Sequence, residues 1–200
     1  MNKIFTIGNI DFYDINTTIL YTSEYNYKKD AIEFINNRCV VISKDDKSPL
    51  DEISESLFEL FNCTHLKAKE NLTKIDELKI TILNNLTSPK KIFVFLNVLT
   101  YLDNQFKEKL ISYLKEHEKI ILNYTSEIEE TLLFDYLIIV HDAKVVMEGP
   151  TKITLGEEKI IKKLGFNLPF IVELSSGLKY YGLTNKLYYN NESLVNDLWK

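Results

Sequence analysis

The stretch KIFVFLNVLTYLD, residues 91–103, contains the first positions that could do chemistry. Its core, residues 92–95, is apolar and β-rich, which is typical of a fully buried strand. In many nucleotide-binding proteins such a strand ends on a carboxylate that holds Mg²⁺, because this ion prefers oxygen ligands. Here the strand ends on Leu96 and Asn97, which supply neither a metal-binding carboxylate nor a general base. Either phosphate chemistry proceeds without these carboxylates, or the fold is kept and the chemistry is lost.

A second stretch with residues suited to phosphate chemistry is CVVISKDDKSPLDEIS, residues 39–54. An apolar strand, a turn with Lys47 and Ser48, and a helical pattern follow one another, as they do around a phosphate-binding loop. The stretch has no glycine, although such loops need glycine for close approach of backbone N–H groups to phosphate. Asp45 and Asp46 would also repel an anion. We interpret Lys47 and Ser48 as candidate remnants of an eroded nucleotide-binding loop.

The pattern and spacing of the other potentially reactive side chains favour structural roles for them. Glu127, Glu129 and Glu130 form an acidic group that could hold a cation, but their pattern is more typical of a solvated helix face. The two cysteines and the scattered histidines lack the spacing of metal ligands or of a disulfide framework. No metal site is therefore predicted, and the cysteines fit a reducing compartment.

Composition restricts the class of protein. The 200 residues are 45% hydrophobic, which is enough for one domain with a packed core. The net charge is −5 and no basic stripe is present, which argues against nucleic-acid binding. The first residues do not read as a signal peptide, and no apolar run approaches the roughly 18 residues of a membrane span. We expect a cytoplasmic protein.

Strands and helices alternate along most of the chain, which predicts an α/β domain with a largely parallel sheet. Strands are predicted at 3–13, 39–43, 92–97, 119–124, 136–140 and 145–148, the last two as an antiparallel hairpin. Helices are predicted at 49–61, 72–86, 103–116 and 126–133, with Thr73 and Asp103 as N-caps of the second and third. Further helical patterns predict a C-terminal helical segment at 151–200, after an α/β domain at 1–150.

The order of these elements is similar to that of a known family. Residues 72–182 resemble the second half of an ABC-type ATPase, most closely the ATP-binding subunit of energy-coupling factor (ECF) transporters. LTKIDELKITILNNLTSPKKIFVFLNVLTYLD resembles that family's signature helix, metal-binding strand and Leu-Asp turn. FDYLIIVHDAKVVMEGP resembles its terminal hairpin, and LGFNLPFIVELSSGLKYYGL resembles the ECF-type C-terminal segment. The implied fold is a truncated, P-loop NTPase-like α/β domain, a three-layer sheet with helices on both faces plus the C-terminal helical segment.

The catalytic positions implied by this resemblance depart from the family pattern. The signature Leu-Ser-Gly-Gly-Gln corresponds to residues 72–76, and its glycines allow backbone N–H groups to approach phosphate. Asp103, the aspartate after the metal-binding strand, is the main polar residue that is retained. The degenerate positions are Lys74 and Ile75 for the signature glycines, Leu96 for the metal-binding Asp, Asn97 for the catalytic Glu, and Thr125 for the switch His.

The resemblance also offers a second alignment for residues 39–54. Under it, residues 39–43 are the strand that leads to the family's Gln-containing loop, and Lys44 stands in place of Gln. Both alignments stay open. Under either one, a large part of the first half of a usual ABC ATPase is absent.

The resemblance and the lost motifs together imply a catalytically inactive, ABC-ATPase-like interaction or structural subunit, for example of an ECF-type transporter. The alternative is a divergent but working ATP-binding subunit of such a transporter, and only then would ATP and Mg²⁺ be cofactors. The partners expected are another ABC-ATPase-like subunit, in a homo- or hetero-oligomer, and a membrane transporter component at the inner face of the membrane. The expected interface residues are Asp103 and a helical stripe of Phe170, Ile171, Leu174 and Leu178.

Overall fold

A computed structural model describes residues 3–7, 10–15, 17–22, 38–50, 53–142 and 144–199 of the chain. Its strands are β1 (Lys3–Ile7), β2 (Ile10–Tyr13), β3 (Thr17–Thr22), β4 (Cys39–Ile42), β5 (Ile92–Leu96), β6 (Ile120–Thr125), β7 (Tyr136–His141) and β8 (Lys144–Pro150). Six of them form one sheet in the order β4-β5-β6-β3-β7-β8, and β1 and β2 form a separate antiparallel hairpin. The first five strands of the sheet are parallel, whereas β8 is antiparallel to β7, as predicted for the last two strands.

The helices lie mainly between the strands and after them. In the described residues they are α1 (Glu55–Leu60), α2 (Lys74–Asn85), α3 (Asn104–Glu116), α4 (Thr151–Gly156), α5 (Glu158–Lys163), α6 (Phe170–Tyr180) and α7 (Asn191–Leu198). Short 3₁₀ helices span Thr64–Ala68, Leu99–Tyr101 and Ile128–Leu133. Each of the described helices is too short or too polar to cross a membrane.

Two predicted helices differ from the observed ones. The helix predicted at 49–61 begins at Glu55, because the preceding loop is bonded to α2 instead. Thr81 donates to the carbonyl of Asp46 over 3.1 Å, and Asn84 donates to that of Pro49 over 3.2 Å. The helix predicted at 126–133 is the 3₁₀ helix Ile128–Leu133. Short 3₁₀ helices of this kind are common connectors between other elements, and this one joins β6 to β7.

Each face of the sheet carries its own apolar cluster. On one face, alternate strand residues such as Phe93 and Phe95 pack with side chains from α1 to α7. On the other face, residues such as Val94 pack with Ile10 and Phe12 of the hairpin. The layers are therefore hairpin, sheet and helices, which confirms the predicted α/β fold class, while the helices predicted on both faces are seen on one face within the described residues. No helical residue of the described ranges belongs to the hairpin-side cluster, and residues 23–37 lie outside those ranges.

The strand β3 was not predicted, although it lies near the centre of the sheet. It pairs with β6 on one side and β7 on the other, and all six of its residues are buried. Its sequence, TTILYT, is made largely of β-branched and aromatic residues, so β-propensity could have identified it. The strand predicted at 3–13 is instead divided into β1 and β2, which pair with each other.

The C-terminal segment has no separate core in the described part of the chain. Leu155, Ile161, Val172 and Leu194 belong to the same buried cluster as the sheet residues. The tail returns to α6 through Ser175, whose buried hydroxyl accepts from the N–H of Tyr188 over 3.1 Å. The segment after 150 therefore packs as part of the domain, and the boundary at 150 stays a prediction.

Candidate functional site

The candidate site lies at one edge of the sheet, which we name the carboxyl edge. The parallel strands β4, β5, β6, β3 and β7 all end there, since parallel strands share one direction. The chain passes from β3 out to β4, returns through β5 to β6 beside β3, and then crosses to β7 on the other side. In open α/β sheets, ligands bind outside the carboxyl ends of strands at such a reversal of strand order. The favoured position is therefore just beyond β3, and the segment that follows β3 lies outside the described residues.

The structure brings Leu96, Asn97 and Thr125 together at the ends of the neighbouring strands β5 and β6. Asn97 has a left-handed backbone with φ of 51°, and its N–H donates to the carbonyl of Tyr124 over 2.7 Å. Its side-chain oxygen accepts from the N–H of Ser126 over 3.4 Å. The amide of Asn97 therefore joins two strand ends, and the side chain of Leu96 beside it has no atom that binds a metal ion.

Thr125 is fully buried and makes its bonds within its own segment. Its hydroxyl oxygen accepts from the N–H of Glu127 over 3.0 Å, and its side chain also bonds the carboxyl group of Glu130. A hydroxyl held in this way is not presented at the carboxyl edge. Thr125 is consequently placed to stabilise the turn after β6 rather than to contact a phosphate.

Lys47 and Ser48 lie beyond β4, the outermost strand on that side of the sheet. β5 and β6 separate β4 from β3, so the two strands are about 14 Å apart at the usual strand spacing of about 4.8 Å. The ammonium group of Lys47 is bound by Glu77 of α2 at 2.9 Å. These two residues are therefore remote from the position where the strand order reverses.

The N-terminus of α2 satisfies its own backbone donors. Thr73 accepts from the N–H of Asp76 over 3.2 Å, and the Asp76 carboxylate accepts from the N–H and hydroxyl of Thr73 over 2.8 and 2.7 Å. Lys69 forms an ion pair with the same carboxylate. Burial raises the pKa of Asp76, but the hydrogen bonds from Lys69 and Thr73 outweigh it and lower the pKa to about 2. The predicted N-cap at Thr73 is confirmed, in the form of a capping box.

The two signature-position residues that replace glycine are exposed at this helix start. Lys74 and Ile75 border a cavity of about 270 Å³, and Leu78 and Tyr101 add apolar surface to it. A phosphate that approached α2 would meet these side chains instead of bare backbone N–H groups. The helix start is thus well built for stability and poorly built for contact with phosphate.

Asp103 is the N-cap of α3, as predicted. Its carboxylate accepts from the N–H of Phe106 over 2.8 Å, and the ammonium group of Lys79 binds it at 2.7 Å. The hydrogen bond from Lys79 is the main cause that lowers the pKa of Asp103. Capping of α3 and the contact with Lys79 are therefore sufficient reasons for an aspartate at position 103. An interface role for Asp103 stays a prediction.

The donor set of the described carboxyl edge does not fit Mg²⁺. Within the described ranges, no group of three His, Cys, Asp or Glu side chains could hold a metal ion. The two cysteines are buried thiols, and burial raises the pKa of both, that of Cys39 to about 11. They are placed as core residues.

The structure divides the predicted stripe on α6 between core and surface. Ile171 is buried in the core and Leu178 packs partly against it, whereas Phe170 and Leu174 are 67% and 40% exposed. The stripe prediction is therefore wrong for Ile171, because α6 turns that face toward the sheet. Most other exposed large apolar side chains of the described residues also lie after residue 150, among them Tyr180, Tyr181, Leu183 and Trp199.

One buried polar pair was missed. Asn123 of β6 and Glu130 of the 3₁₀ helix Ile128–Leu133 are 0% and 2% exposed, and the Asn123 amide donates to Glu130 Oε2 over 2.8 Å. The prediction of a solvated acidic face is wrong for Glu130 and agrees with the exposed positions of Glu127 and Glu129. Asn123 in an otherwise apolar strand was the signal that could have revealed a buried partner.

Comparison with known proteins identifies relatives of this chain. No protein-family model matches it. It is 28% identical over 126 residues to the energy-coupling factor transporter ATP-binding protein EcfA1 of Mesomycoplasma hyopneumoniae, covering 61% of this chain and 45% of that protein. It is 23% identical over 214 residues to EcfA of Malacoplasma penetrans, covering 99% of this chain and 73% of that protein. Among solved structures, cbiO1 from Clostridium perfringens superposes with a TM-score of 0.56 at 15% identity, over 78% of this chain and 86% of that one.

These matches confirm the resemblance and the fold that the motifs indicated. The chain is similar to ECF transporter ATP-binding subunits, and its fold is a truncated ABC-ATPase-like α/β domain. It spans less than half the length of the first of these relatives. The chain therefore has an ABC-ATPase-like α/β fold and is similar to transporter ATP-binding subunits over part of their length.

Proposed function

We propose that this chain is a catalytically inactive, ABC-ATPase-like subunit that works through protein–protein contacts. One observation carries the proposal: β5 ends on Leu96 and Asn97, and Asn97 is engaged with Tyr124 and Ser126 of the neighbouring strand end. Phosphoryl transfer depends mainly on positioning and on stabilising phosphate charge with metal ions and backbone donors. The side chains at the end of β5 neither bind Mg²⁺ nor face a phosphate. Phosphoryl transfer would therefore lack its metal ion and the groups that stabilise phosphate charge.

The phosphate-binding position itself also supports an inactive protein. The reversal of strand order favours the segment that follows β3, and residues 23–38 contain no glycine. The edge position of β4 favours the second alignment of residues 39–54, with Lys44 in place of the family's Gln. Under this proposal the chain requires no cofactor, and Lys47 and Ser48 are solvated loop residues.

The proposed partners follow from the relatives and from the surface. The relatives are named transporter ATP-binding proteins, and cbiO1 is described as part of the ABC transporter complex cbiONQ. We propose that this chain pairs with another ABC-ATPase-like subunit and associates with a membrane transporter component from the cytoplasmic side. The exposed side chains of Phe170 and Leu174 on α6 supply the apolar contact surface.

The alternative function is that of a divergent, working ATP-binding subunit with ATP and Mg²⁺ as cofactors. It is favoured by the retained ABC-ATPase-like fold. The sequence after β3 also retains two lysines, Lys28 and Lys29, at a distance from the strand that a phosphate-binding lysine could have. These lysines lie outside the described residues.

Titration calorimetry with Mg-ATP decides between the two functions. The whole chain is titrated with ATP in the presence of Mg²⁺ and again with EDTA. We expect no saturable heat in either titration, because the described part of the carboxyl edge offers no group of metal ligands and residues 23–38 contain no glycine. Mg-dependent binding with a sub-millimolar dissociation constant would overturn the proposal and support the working subunit.

If binding were observed, matched lysine variants would locate the site. Lys28→Ala with Lys29→Ala tests the segment after β3, and Lys47→Ala tests the edge loop. Loss of binding only in the first variant would place phosphate where the strand order reverses. Loss only in Lys47→Ala would restore the interpretation of residues 39–54 as a phosphate loop.

Restoring the carboxylates is expected to fail. Leu96→Asp with Asn97→Glu places two charges at half-buried positions, and Glu adopts the left-handed backbone of position 97 less readily than Asn. The double variant should melt at a lower temperature than the parent and release no phosphate from Mg-ATP. The uncharged pair Leu96→Asn with Asn97→Gln is the matched control for side-chain size. Clear Mg-dependent turnover in the charged variant would show that a phosphate site survives.

The contact surface on α6 is tested separately from nucleotide binding. Phe170→Ser with Leu174→Ser should reduce self-association by light scattering, or co-purification of a partner subunit, because it removes exposed apolar area. Val146→Ser on β8 is the control, since Val146 is a similarly exposed apolar residue elsewhere. Equal association in the two variants would refute the role of α6.

A further inference from the structure

The buried pair Asn123 and Glu130 has an unusual hydrogen-bond balance. One bond joins them, from the Asn123 amide to Glu130 Oε2 at 2.8 Å. The second oxygen of each group, Asn123 Oδ1 and Glu130 Oε1, is buried and has no hydrogen-bond partner within the described residues. Both atoms are acceptors when Glu130 is ionised, and buried polar atoms without partners are costly.

A single proton would satisfy both oxygens. A neutral carboxylic acid has one O–H donor, and an amide has one carbonyl acceptor and one N–H donor. An acid and an amide can therefore form a ring with two hydrogen bonds, of which the N–H bond is already in place. The O–H of Glu130 would donate to Asn123 Oδ1 and complete this ring.

The surroundings favour the neutral acid. Burial is the largest influence and raises the pKa of Glu130, while the hydrogen bonds from Asn123 and Thr125 oppose it. Two charged groups act on it: Lys107 on α3 favours the ionised form, and Glu127 on its own segment opposes it. Tyr21 on β3, the neighbouring strand, stays neutral because burial and Glu127 raise its pKa.

The same short 3₁₀ helix also holds the start of α6. Glu129, next to Glu130, accepts from the backbone N–H of Phe170 over 2.7 Å. Pro169, at the N-cap position of α6, provides no side-chain cap. The first N–H of α6 thus depends on a residue whose neighbour is anchored in the core.

We propose that Glu130 is a neutral acid in the folded protein, that it donates its proton to Asn123 Oδ1, and that losing this proton is a switch that releases the N-terminus of α6. The proton leaves to water or a buffer base, and no other group changes its charge. The ionised carboxylate then lies beside the amide oxygen with no donor between them. Repulsion and the need for water draw Ile128–Leu133 away from the sheet, and Glu129 moves with it.

Carbon-13 NMR of the glutamate carboxyl groups tests the protonation state in the whole chain. Glu130→Gln identifies the Glu130 signal by its disappearance. In the parent protein we expect this signal to stay at the position of a neutral acid through the pH range in which ordinary exposed carboxyl groups titrate. A Glu130 signal that titrates within that ordinary range would overturn the proposal. The titration itself is followed in the parent protein, and Glu127→Gln assigns the neighbouring signal as a second check.

Amide hydrogen exchange tests the link to α6. As pH rises through the Glu130 titration, protection of the Phe170 amide, corrected for intrinsic exchange, should fall in the parent. Glu130→Gln keeps both hydrogen bonds to Asn123 without an ionisable group, so its protection should not change over that range. Glu127→Gln is the matched control on the same segment and should behave like the parent, with a small downward shift of the midpoint. The same fall in Glu130→Gln as in the parent would refute the switch.

Discussion

The helices α2 and α6 begin in opposite ways. The first N–H groups of α2 are served by Thr73 and Asp76, three residues apart, in a closed capping box. α6 begins after Pro169, and its first N–H is bound by Glu129, which lies 41 residues earlier in the chain. The N-terminus of α2 is capped by residues within one turn of the helix. The N-terminus of α6 is capped only when the folded sheet places Glu129 beside it.

This difference separates the two regions by their dependence on the core. α2 keeps a stable start even though Lys74 and Ile75 have replaced the small residues of the family signature. α6 carries the exposed apolar residues of the proposed contact surface, and its start depends on tertiary structure. A region that depends on a remote residue can respond to changes elsewhere in the molecule, but a self-capped helix cannot respond in this way.

The largest expected effect is at the self-capped start. Asp76→Ala should lower the free energy of unfolding by about 2 kcal/mol, because it removes the capping box and the ion pair with Lys69. Urea denaturation at neutral pH measures the change. Thr73→Ser keeps a hydroxyl acceptor and is the control, with an expected change near zero. Equal stability of Asp76→Ala and the parent would mean that α2 does not depend on its local cap.

The acid response of α2 should come from the same carboxylate. The pKa of Asp76 is lowered from 3.8 to about 2, so its contribution is fully present above 3.8 and is lost as pH falls through about 2. The stability difference between the parent and Asp76→Asn should therefore shrink between about pH 4 and about pH 2. Denaturation curves at several pH values measure it. A constant difference across this range would contradict the assignment.

A smaller effect is expected at the remotely capped start. Glu129→Ala should cost about 1 kcal/mol, the typical contribution of a helix cap with a favourable charge. The loss should concentrate in α6, so hydrogen exchange of the Phe170 amide should increase while that of α2 stays unchanged. Glu129→Gln retains an oxygen acceptor and should lose less. Uniform loss of protection over the whole chain would show that the contact is not specific to α6.

The smallest effect is expected from the exposed ion pair between Lys162 of α5 and Glu173 of α6, at 2.8 Å. Glu173→Gln should change the free energy of unfolding by less than about 0.5 kcal/mol, since both groups are exposed to screening solvent. Added salt should abolish even this difference. A loss as large as that of Glu129→Ala would mean that solvent exposure does not determine how much this ion pair contributes to stability.

Local features of the site could be predicted because their causes are local. Thr73 and Asp103 are N-caps as expected, since each side chain bonds an N–H three residues later. The positions of Leu96, Asn97 and Thr125 at neighbouring strand ends also follow from parallel pairing. The sequence TTILYT of β3 carries a local β-rich signal as well, but its position at the centre of the sheet depends on pairing with the distant strands β6 and β7.

Other features could not be predicted, because they depend on which segments meet. Glu130 has two acidic neighbours in sequence, and only its contact with Asn123 across the core makes it a buried acid. Ile171 shares a stripe with Phe170 and Leu174, and only the orientation of α6 on the sheet decides which of them is buried.

The sequence by itself determined the α/β class, the resemblance to ECF ATP-binding subunits, the absence of carboxylates at the end of β5 and the caps of α2 and α3. These are properties of residue types, of short spacings and of the order of elements along the chain. The tertiary structure alone decided that β3 lies between β6 and β7, that Glu130 is buried and that Glu129 caps α6. The physical reason is that burial and hydrogen bonding across the core depend on packing between distant segments. The spacing of residues within one segment does not determine that packing.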